Sequence, residues 1–322
     1  MGAVLVTGGA GFIGSHLVDR LLSRGDRVVV LDNFDAYYDP AIKRKNLTGA
    51  RAAGVADRCA IVEGDIRDMA AVEALFGSHA IDAVVHLAAR AGVRPSIEDP
   101  LLYQDVNLKG TANLLEACRR FGVKRFLFGS SSSVYGDSLE VPFSEDARMD
   151  RPVSPYAATK VAGELMCYTY HHLFDLNVFC LRFFTVYGPR QRPEMAIHKF
   201  TRLVMEGRPL PRFGDGRTER DYTYIDDILD GLVKALDRVR GYGVFNLGES
   251  KRVSLAYLIG LIEKAVGRSA QVEILPEQPG DVRMTYADIT RARRDLGYDP
   301  RVPIEEGIQR FVAWMRAEMG SV

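Results

Sequence analysis

The sequence predicts an α/β fold: a doubly wound parallel sheet with helices on both faces, followed by a smaller C-terminal region that would cap a ligand. The first half of the chain alternates short β-branched runs with longer helical patterns, which is typical of strands joined by crossover helices. From about residue 183 the alternation becomes irregular. Shorter elements are expected there, separated by loops rich in Gly, Pro and Arg, namely Gly188–Pro193, Gly214–Arg220 and Pro276–Gly280.

Individual elements follow from these patterns. The predicted buried strands are the apolar runs Ala3–Thr7, Arg27–Leu31, Ala60–Val62, Ala83–His86, Arg125–Phe128 and Val178–Arg182. The predicted helices are Phe12–Arg24, Met69–Phe76, Asp105–Arg120 and Ser154–Phe174. We assign residues 1–182 to the sheet domain and 183–322 mainly to the smaller region, with the two parts interleaved. A ligand is expected between them, at the carboxyl ends of the strands.

Charge and composition exclude several kinds of partner. Lys plus Arg and Asp plus Glu both number 42, and this balance argues against nucleic acid, which usually selects a basic surplus. No run approaches the ~20 apolar residues of a membrane helix, and the glycine-rich sequence from Gly8 does not fit a signal peptide. The four cysteines form no CxxC pair, so neither structural zinc nor a disulfide framework is expected. These features predict a cytoplasmic protein without a metal.

A glycine-rich turn joins the first predicted strand to the first predicted helix. Gly8, Gly11 and Gly14 have the spacing GxxGxxG, and glycine permits a tight turn and close approach of the backbone to a pyrophosphate. The position between a strand and a helix is the context that supports a dinucleotide site. Asp32 ends the next strand, 18 residues after Gly14. An acid there accepts both adenosine ribose hydroxyls and repels a 2′-phosphate, which favours NAD over NADP.

Other strand ends extend the predicted cofactor site. Asp65 follows the third strand and is a candidate for adenine contact, although it is equally an ordinary strand-end acid. The small residues after the fourth strand would let a cofactor cross the sheet edge, or they simply pack. The predicted cofactor contacts are Gly8, Gly11, Phe12, Ile13, Gly14, Asp32, Asn33, Asp65, Ile66, Leu87, Ala88, Ala89, Tyr156 and Lys160.

Tyr156 and Lys160 form the first part of a predicted catalytic group. Ser154 and Pro155 have the residue types of a helix cap and a first helical residue, which places Tyr156 and Lys160 on one helical face at i and i+4. A tyrosine, with a reference pKa of about 10, is a poor base at neutral pH. A nearby ammonium and the positive nicotinamide ring would lower that pKa by stabilising the phenolate. Lys160 therefore has two candidate roles: tuning Tyr156 and orienting the nicotinamide ribose.

The second part is a run of four serines, residues 130–133, at the end of a predicted strand. Hydroxyls gathered at a strand terminus are candidate donors to the substrate oxygen that becomes a carbonyl, although a polar turn has the same composition. Together with the glycine turn, Asp32, Tyr156–Lys160 and the segment Arg220–Asp227, this run resembles the extended short-chain dehydrogenase/reductase family, and within it the nucleotide-sugar 4-epimerases. The resemblance covers nearly the whole chain.

The resemblance implies a Rossmann-type fold, tightly held NAD and a UDP-sugar substrate. In such an isomerase, hydride leaves C4 of the sugar and returns to the opposite face of the same carbon. Alignment on Val134-Tyr135-Gly136 places the catalytic Ser/Thr of the family on Ser131, with an ambiguity of one residue. Ser132 and Ser133 then face the sugar.

The segment around Thr185 narrows the substrate. Galactose-type epimerases usually carry Asn at this position, whereas Phe183–Pro189 and Arg192–Ala196 look like the corresponding pieces of UDP-glucuronate 4-epimerases. Hydroxyls at Thr185, Ser132 and Ser133 would suit a C6 carboxylate. The resemblance therefore implies interconversion of UDP-glucuronate and UDP-galacturonate through a 4-keto intermediate.

Four further side chains are candidates for the UDP moiety. Arg192 and Arg220 offer guanidinium forks to the diphosphate, and Arg283 is a third candidate cation. Each is alternatively a surface ion pair. Phe213 is predicted to pack on uracil. Arg94 lies in a loop near the expected sugar site, and its role is left open.

Several alternatives remain at this stage. A 4,6-dehydratase of the same fold usually has Asp-Glu after its catalytic hydroxyl, where this chain has Ser132-Ser133, so it lacks the groups that eliminate water. A UDP-glucose/UDP-galactose or N-acetylhexosamine 4-epimerase, a UDP-glucuronate decarboxylase and a non-enzymatic NAD-binding regulatory protein stay open.

Family members often dimerise through two helices, which here are Asp105–Arg120 and Ser154–Phe174. We therefore predict a homodimer. The residues Leu114, Leu115, Leu165 and Tyr168 would lie on the outer faces of these helices, although each is equally consistent with a core position.

Overall fold

The computed structural model describes residues 2–52, 54–276 and 283–320. Its strands are β1 (Ala3–Thr7), β2 (Val28–Asp32), β3 (Cys59–Glu63), β4 (Ile81–His86), β5 (Arg125–Ser131), β6 (Asn177–Phe183), β7 (Thr185–Tyr187), β8 (Pro209–Phe213), β9 (Glu219–Arg220), β10 (Tyr222–Tyr224), β11 (Tyr242–Leu247), β12 (Val253–Ser254) and β13 (Gln271–Leu275). Its α-helices are α1 (Phe12–Arg24), α2 (Pro40–Asn46), α3 (Met69–Ser78), α4 (Val93–Glu98), α5 (Pro100–Gln104), α6 (Gly110–Phe121), α7 (Pro155–Phe174), α8 (Ala196–Glu206), α9 (Ile225–Arg238), α10 (Leu255–Val266), α11 (Thr290–Leu296) and α12 (Ile304–Met319).

Seven of these strands form one parallel sheet in the order β11-β6-β5-β4-β1-β2-β3. Two buried apolar clusters contain side chains from its strands and packed helices, so apolar strand residues are covered on both sides. The chain passes from β1 to β2 and β3 in one direction and then returns to place β4 on the other side of β1. This reversal opens a crevice at the carboxyl ends of the strands. The predicted doubly wound fold is confirmed.

All six predicted strands are present, with ends that shift by up to three residues. The strand before the serine run is longer than predicted, because β5 continues through Ser130 to Ser131. The seventh strand, β11, was not predicted. Its sequence contains Gly243 and Asn246, which interrupt the apolar run, and it comes from the part of the chain assigned mainly to the smaller region.

The four predicted helices are also present, and one is divided. Residues 105–109 of the predicted helix Asp105–Arg120 form a π-helical turn, and α6 begins at Gly110. At the start of α7, Ser154 is the cap, its side chain accepts a hydrogen bond from the backbone N–H of Ala157, and Pro155 is the first helical residue. The predicted start of the helix that carries Tyr156 and Lys160 is therefore confirmed.

The C-terminal region is built of paired short strands and longer helices. Its strand pairs are β7–β10, β8–β13 and β9–β12. The expectation of only shorter elements was wrong, because α9 has 14 residues and α12 has 16. Residues 277–280 of the predicted loop lie outside the described residues. The four cysteines are free, as predicted, and three of them are buried.

Candidate active site

A cleft with a cavity volume of about 410 Å³ lies at the carboxyl ends of the sheet strands. Most of the predicted site residues line it. From the predicted cofactor and catalytic sets these are Gly8, Gly11, Phe12, Ile13, Gly14, Asp32, Asn33, Asp65, Ile66, Leu87, Ala88, Ala89, Ser131, Tyr156 and Lys160, and from the predicted substrate set Ser132, Ser133, Thr185 and Arg192. Residues that are far apart in the sequence are thus gathered at one edge of the sheet.

The backbone around the glycine turn is packed so closely that side chains would not fit on Gly8 or Gly14. Gly8 has φ +67°, and a Cβ on it would lie 2.8 Å from the backbone nitrogen of Ala88. A Cβ on Gly14 would lie 2.1 Å from the carbonyl oxygen of Gly8. The cap residue of α1, Gly11, brings no side-chain hydrogen bond to the helix start, so the first N–H groups of α1 stay available to an anion. The turn therefore fits a pyrophosphate.

Asp32 is the last residue of β2 and is buried at the cleft. Its Oδ1 accepts from the backbone N–H of Phe34 at 2.8 Å, and its Oδ2 accepts from the N–H of Ala10 at 3.0 Å. Burial raises the pKa of Asp32, and these two hydrogen bonds act against that rise. Each carboxylate oxygen accepts about two hydrogen bonds, so the side chain is oriented and still has capacity for ribose hydroxyls.

Asp65 is held by its neighbours along the same edge. Its Oδ2 accepts from Arg67 Nη2 at 2.8 Å and from Asn33 Nδ2 at 3.0 Å. The hydrogen bonds from Arg67 lower the pKa of Asp65 to about 2. Asp65 is therefore an ionised acceptor. Its hydrogen bond from Asn33 joins two of the predicted cofactor contacts to each other.

The catalytic candidates come together where β5 meets the first turn of α7. Ser131 is the last residue of β5, and its side chain acts against the effect of burial on the pKa of Tyr156. Lys160 Nζ donates to the carbonyl oxygen of Gly129 at 2.7 Å. Within the serine run, Ser131 is thus the residue whose side chain acts on the tyrosine, and Ser132 and Ser133 begin the 3₁₀ turn that follows it.

The pKa of Tyr156 differs from the sequence-based expectation. Burial raises it, and the opposing contributions come from the side chain of Ser131 and from the charge of Arg192. The argument that Lys160 lowers it does not hold for the chain alone, because Lys160 Nζ lies 5.9 Å from the centroid of the tyrosine ring and is directed to Gly129. Burial also lowers the pKa of Lys160 to about 8.

Two of the predicted substrate residues lie near this end of the cleft. Thr185 is the first residue of β7, and its backbone N–H donates to the carbonyl oxygen of Asp221 at 3.0 Å. Arg192 lies beside Glu194, with 2.8 Å between Nε and Oε1. Arg192 lines the cleft with Tyr156, and its charge acts against the rise in the pKa of that tyrosine, whereas the sequence argument assigned it to the diphosphate.

Phe213, Arg220 and Arg283 are not among the residues that line the cleft. The backbones of the two arginines are close to each other, because the carbonyl oxygen of Arg283 accepts from the N–H of Glu219, next to Arg220. The ring of Phe213 is covered by Arg94, whose Cζ lies 4.8 Å from the ring centroid. Arg94 lies in α4 rather than in the predicted loop, and it thus joins Phe213 to the start of a helix whose Val93 lines the cleft.

Asp221 holds this second group in place. Its buried carboxylate accepts backbone N–H bonds from Glu249 at 2.7 Å, from Ser250 at 3.0 Å and from Ala287 at 3.1 Å. Burial raises the pKa of Asp221 to about 6. The carbonyl oxygen of Asp221 also accepts the hydrogen bond from Thr185, and Arg220 precedes Asp221 in the chain. Asp221 therefore connects Thr185, which lines the cleft, to Arg220 and Arg283.

Some residues of the cleft escaped sequence analysis. Tyr37, Tyr38, Lys43 and Arg90 line it, but the first three lie in and after a loop with no recognisable pattern. Arg90 directly follows Leu87-Ala88-Ala89, and that position was a usable signal. Asn107, in the π-helical turn, holds the backbone of Arg90 at both its N–H and its carbonyl oxygen, at 2.8 and 3.0 Å.

The sequence pattern of the GDP-mannose 4,6-dehydratase family matches residues 5–311. The chain belongs to this family of extended short-chain dehydrogenases/reductases. A UDP-glucuronate 4-epimerase from Thermodesulfobacterium geofontis is 43% identical to it over 317 residues, which cover 98% of this chain and 97% of the relative. The predicted family resemblance is confirmed.

Two solved structures place this extended dehydrogenase/reductase among nucleotide-sugar epimerases. A UDP-glucuronic acid 4-epimerase from Bacillus cereus, in complex with UDP-glucuronic acid and NAD, is 38% identical with a TM-score of 0.91. A UDP-glucose 4-epimerase from Thermotoga maritima, with UDP-glucose, is 33% identical with the same TM-score. Each comparison covers 98% of this chain and 99% of the other. Because the two structures have the same TM-score, the fold alone does not distinguish the two sugars.

The described ranges of this family member contain no group of three or more potential metal ligands. No helix in those ranges is long and apolar enough to cross a membrane.

Proposed function

We propose that the chain is a UDP-glucuronate 4-epimerase that works with bound NAD. The observation that carries the proposal is that Ser131, Tyr156 and Thr185 line one cleft together with the glycine turn. The relative from Thermodesulfobacterium geofontis and the Bacillus cereus structure, both named for this activity, support it. In place of the Asp-Glu pair of a dehydratase, the chain has Ser132 and Ser133.

Several residues of the cleft fit NAD and would bind it. Gly8, Gly11 and Gly14 leave room for the pyrophosphate, and Asp32 would bind the adenosine ribose. Asp65 and Asn33 would lie toward the adenine, and Lys160 toward the nicotinamide ribose. When bound, NAD would supply the acceptor and donor of the hydride at C4 of the sugar, so the reaction would be redox-neutral.

The chain itself moves the proton of the C4 hydroxyl. Tyr156 would take this proton in its phenolate form, which the positive charge of the bound nicotinamide ring would stabilise against the effect of burial, and would return it when the alcohol is formed again. Ser131 donates a hydrogen bond to the same oxygen, which carries negative charge during the transfer. Both hydroxyls must meet one oxygen atom, and Ser131 and Tyr156 line the same cleft.

The remaining predicted contacts divide between the two ends of the substrate. Thr185, Ser132 and Ser133 would hold the sugar carboxylate, and Arg192 lines the same cleft. Phe213, Arg220 and Arg283 would hold the UDP moiety, with Arg94 leaving the ring of Phe213 when uracil binds. On this proposal residues 1–182 hold NAD and residues 183–322 mainly hold the UDP-sugar.

Activity without added cofactor tests the proposal. The purified protein is incubated with UDP-glucuronate alone, and the products are separated by chromatography. We expect UDP-galacturonate, together with NAD in the denatured protein at about one molecule per chain. UDP-pentose as the main product would identify a decarboxylase, and conversion of UDP-glucose but not UDP-glucuronate would identify a different epimerase. NADP in the denatured protein would contradict the role of Asp32.

We also propose a homodimer. Leu165 and Tyr168 on α7 are 59% and 51% exposed, and Leu101 on the neighbouring α5 is 73% exposed. Large apolar side chains grouped on one side of a protein mark an interaction surface. Leu114 and Leu115 do not belong to this face, because they are fully buried in the core. Sedimentation equilibrium should give twice 35.7 kDa; a species of single mass at micromolar concentration would contradict the dimer.

A cytoplasmic location remains a prediction, and fractionation of the source cells would test it.

A further inference from the structure

A charged pair lies wholly inside the protein, behind the catalytic residues. Glu164 of α7 and Arg182 of β6 each have 1% of the side chain exposed. The guanidinium binds the carboxylate twice, with Nε–Oε1 at 2.9 Å and Nη2–Oε2 at 2.7 Å. Burying two charges is costly, and apolar side chains of similar volume often stabilise a protein as well or better. Stability alone is therefore a weak reason for this pair.

The pair contacts the strand that carries the serine run, one residue before the catalytic hydroxyl. Ser130 Oγ donates to Glu164 Oε1 at 2.5 Å. Ser130 also lies directly opposite Arg182 in the parallel register of β5 and β6. The position of Ser131, the next residue, is thus fixed relative to both α7 and β6.

The same pair also holds the chain after the serine run. Arg182 Nη1 donates to the hydroxyl of Tyr135 at 2.9 Å, and that hydroxyl donates to Asn246 Oδ1 in β11 at 2.6 Å. Tyr135 ends the 3₁₀ turn that begins at Ser132. The carboxylate of Glu164 therefore holds the serine run at its first residue, Ser130. The guanidinium of Arg182 holds the chain just after the run, at Tyr135.

On the helix, Glu164 lies in line with the other catalytic candidates. Tyr156, Lys160 and Glu164 are spaced by four residues along α7 and share one helical face. The helix approaches β5 closely, since a Cβ on Gly163 would lie 2.4 Å from the ring of Phe128. A small change in this packing would change the distance between Tyr156 on the helix and Ser131 on the strand.

We propose that Glu164 and Arg182 are positioning residues, which set the distance between the hydroxyls of Ser131 and Tyr156 by joining β5, β6 and α7. This inference rests on the proposed epimerase function and assigns the pair no contact with substrate or cofactor. Misplacement of reacting groups by about 1 Å can cost 10²-fold in rate, so the pair should act on kcat while leaving substrate binding almost unchanged.

The test replaces the charged pair with apolar side chains, in the variant Glu164→Leu/Arg182→Met of the full chain. We expect a thermal midpoint, an NAD content and a KM for UDP-glucuronate close to those of the parent, with kcat lower by about 10–100-fold. The matched control removes the exposed ion pair at the other end of β5, Arg125 with Asp82, where Nη2 and Oδ2 are 2.8 Å apart. Asp82→Asn/Arg125→Gln should keep the parent kcat.

A second variant decides the matter if the first does not fold. Ser130→Ala leaves the ion pair in place and removes only its bond to β5, and it should also lower kcat at nearly constant KM. Parent-like kcat in the folded apolar variant, or in Ser130→Ala, would overturn the proposal, as would a loss confined to KM. A parent protein that does not epimerise UDP-glucuronate would instead remove the proposed function on which it rests.

Discussion

Tyr156→Phe should lower kcat by about 10²–10⁴-fold, the usual contribution of a general acid–base residue. The variant keeps the aromatic ring and loses only the hydroxyl, which is the proposed acid–base group. Folding, NAD content and binding of UDP-glucuronate should therefore stay close to those of the parent. The measurement is kcat and KM for UDP-glucuronate, with calorimetric binding of the UDP-sugar to the variant.

The same helix offers a control for this substitution. Tyr170 lies on α7, and its hydroxyl donates to Glu116 at 3.3 Å, away from the cleft. Tyr170→Phe makes the same chemical change and should leave kcat at the parent level. If Tyr156→Phe retained nearly full activity, Tyr156 would not be the base, and another group would have to take the proton of the C4 hydroxyl.

Thr185→Val is expected to have the next largest effect, on both rate and product. A C4 ketone beside the carboxylate makes the intermediate a β-keto acid, which loses carbon dioxide when the C5–C6 bond aligns with the carbonyl π system. We propose that the hydroxyl of Thr185, with that of Ser132 or Ser133, keeps the carboxylate out of this alignment while the sugar ring rotates. A hydroxyl donates to an anion and can turn to follow it.

Loss of one hydrogen bond to a charged group costs about 1.5–3 kcal/mol, which corresponds to about 10–150-fold in substrate use. Valine has the shape of threonine and suits a strand, and the backbone bond from Thr185 to Asp221 does not depend on the side chain. We therefore expect weaker use of UDP-glucuronate and a measurable fraction of UDP-pentose and carbon dioxide. The ratio of UDP-pentose to UDP-galacturonate, by chromatography, is the decisive quantity.

Thr201 provides the matched control. It is buried in α8, and its hydroxyl has no hydrogen-bond partner in the described ranges of the structure. Thr201→Val should therefore match the parent in rate and product ratio. If Thr185→Val also matched the parent in both, Thr185 would not hold the carboxylate, and the assignment of a uronate substrate would lose its main physical support.

Local rules were enough to predict much of the fold. Apolar runs and helical periodicity identified six of the seven sheet strands, and the Ser154-Pro155 pair marked the start of α7. β11 was missed because Gly243 and Asn246 interrupt its apolar pattern. Its place in the sheet depends on pairing with β6, and Asn246 is accommodated because Tyr135 and the backbone of Phe143 satisfy its amide. A buried polar residue of this kind carries no local signal.

By itself, the sequence determined the glycine turn, the acid at Asp32 and the spacing of Tyr156 and Lys160, because each depends on neighbours within one element or one turn. Only the tertiary structure decided which serine acts on the pKa of Tyr156 and that burial raises that pKa. It also brought Arg192 into the same cleft as the tyrosine and enclosed Glu164 with Arg182. Distances between elements and the loss of solvent around a charge arise from packing, and packing joins residues that the sequence keeps far apart.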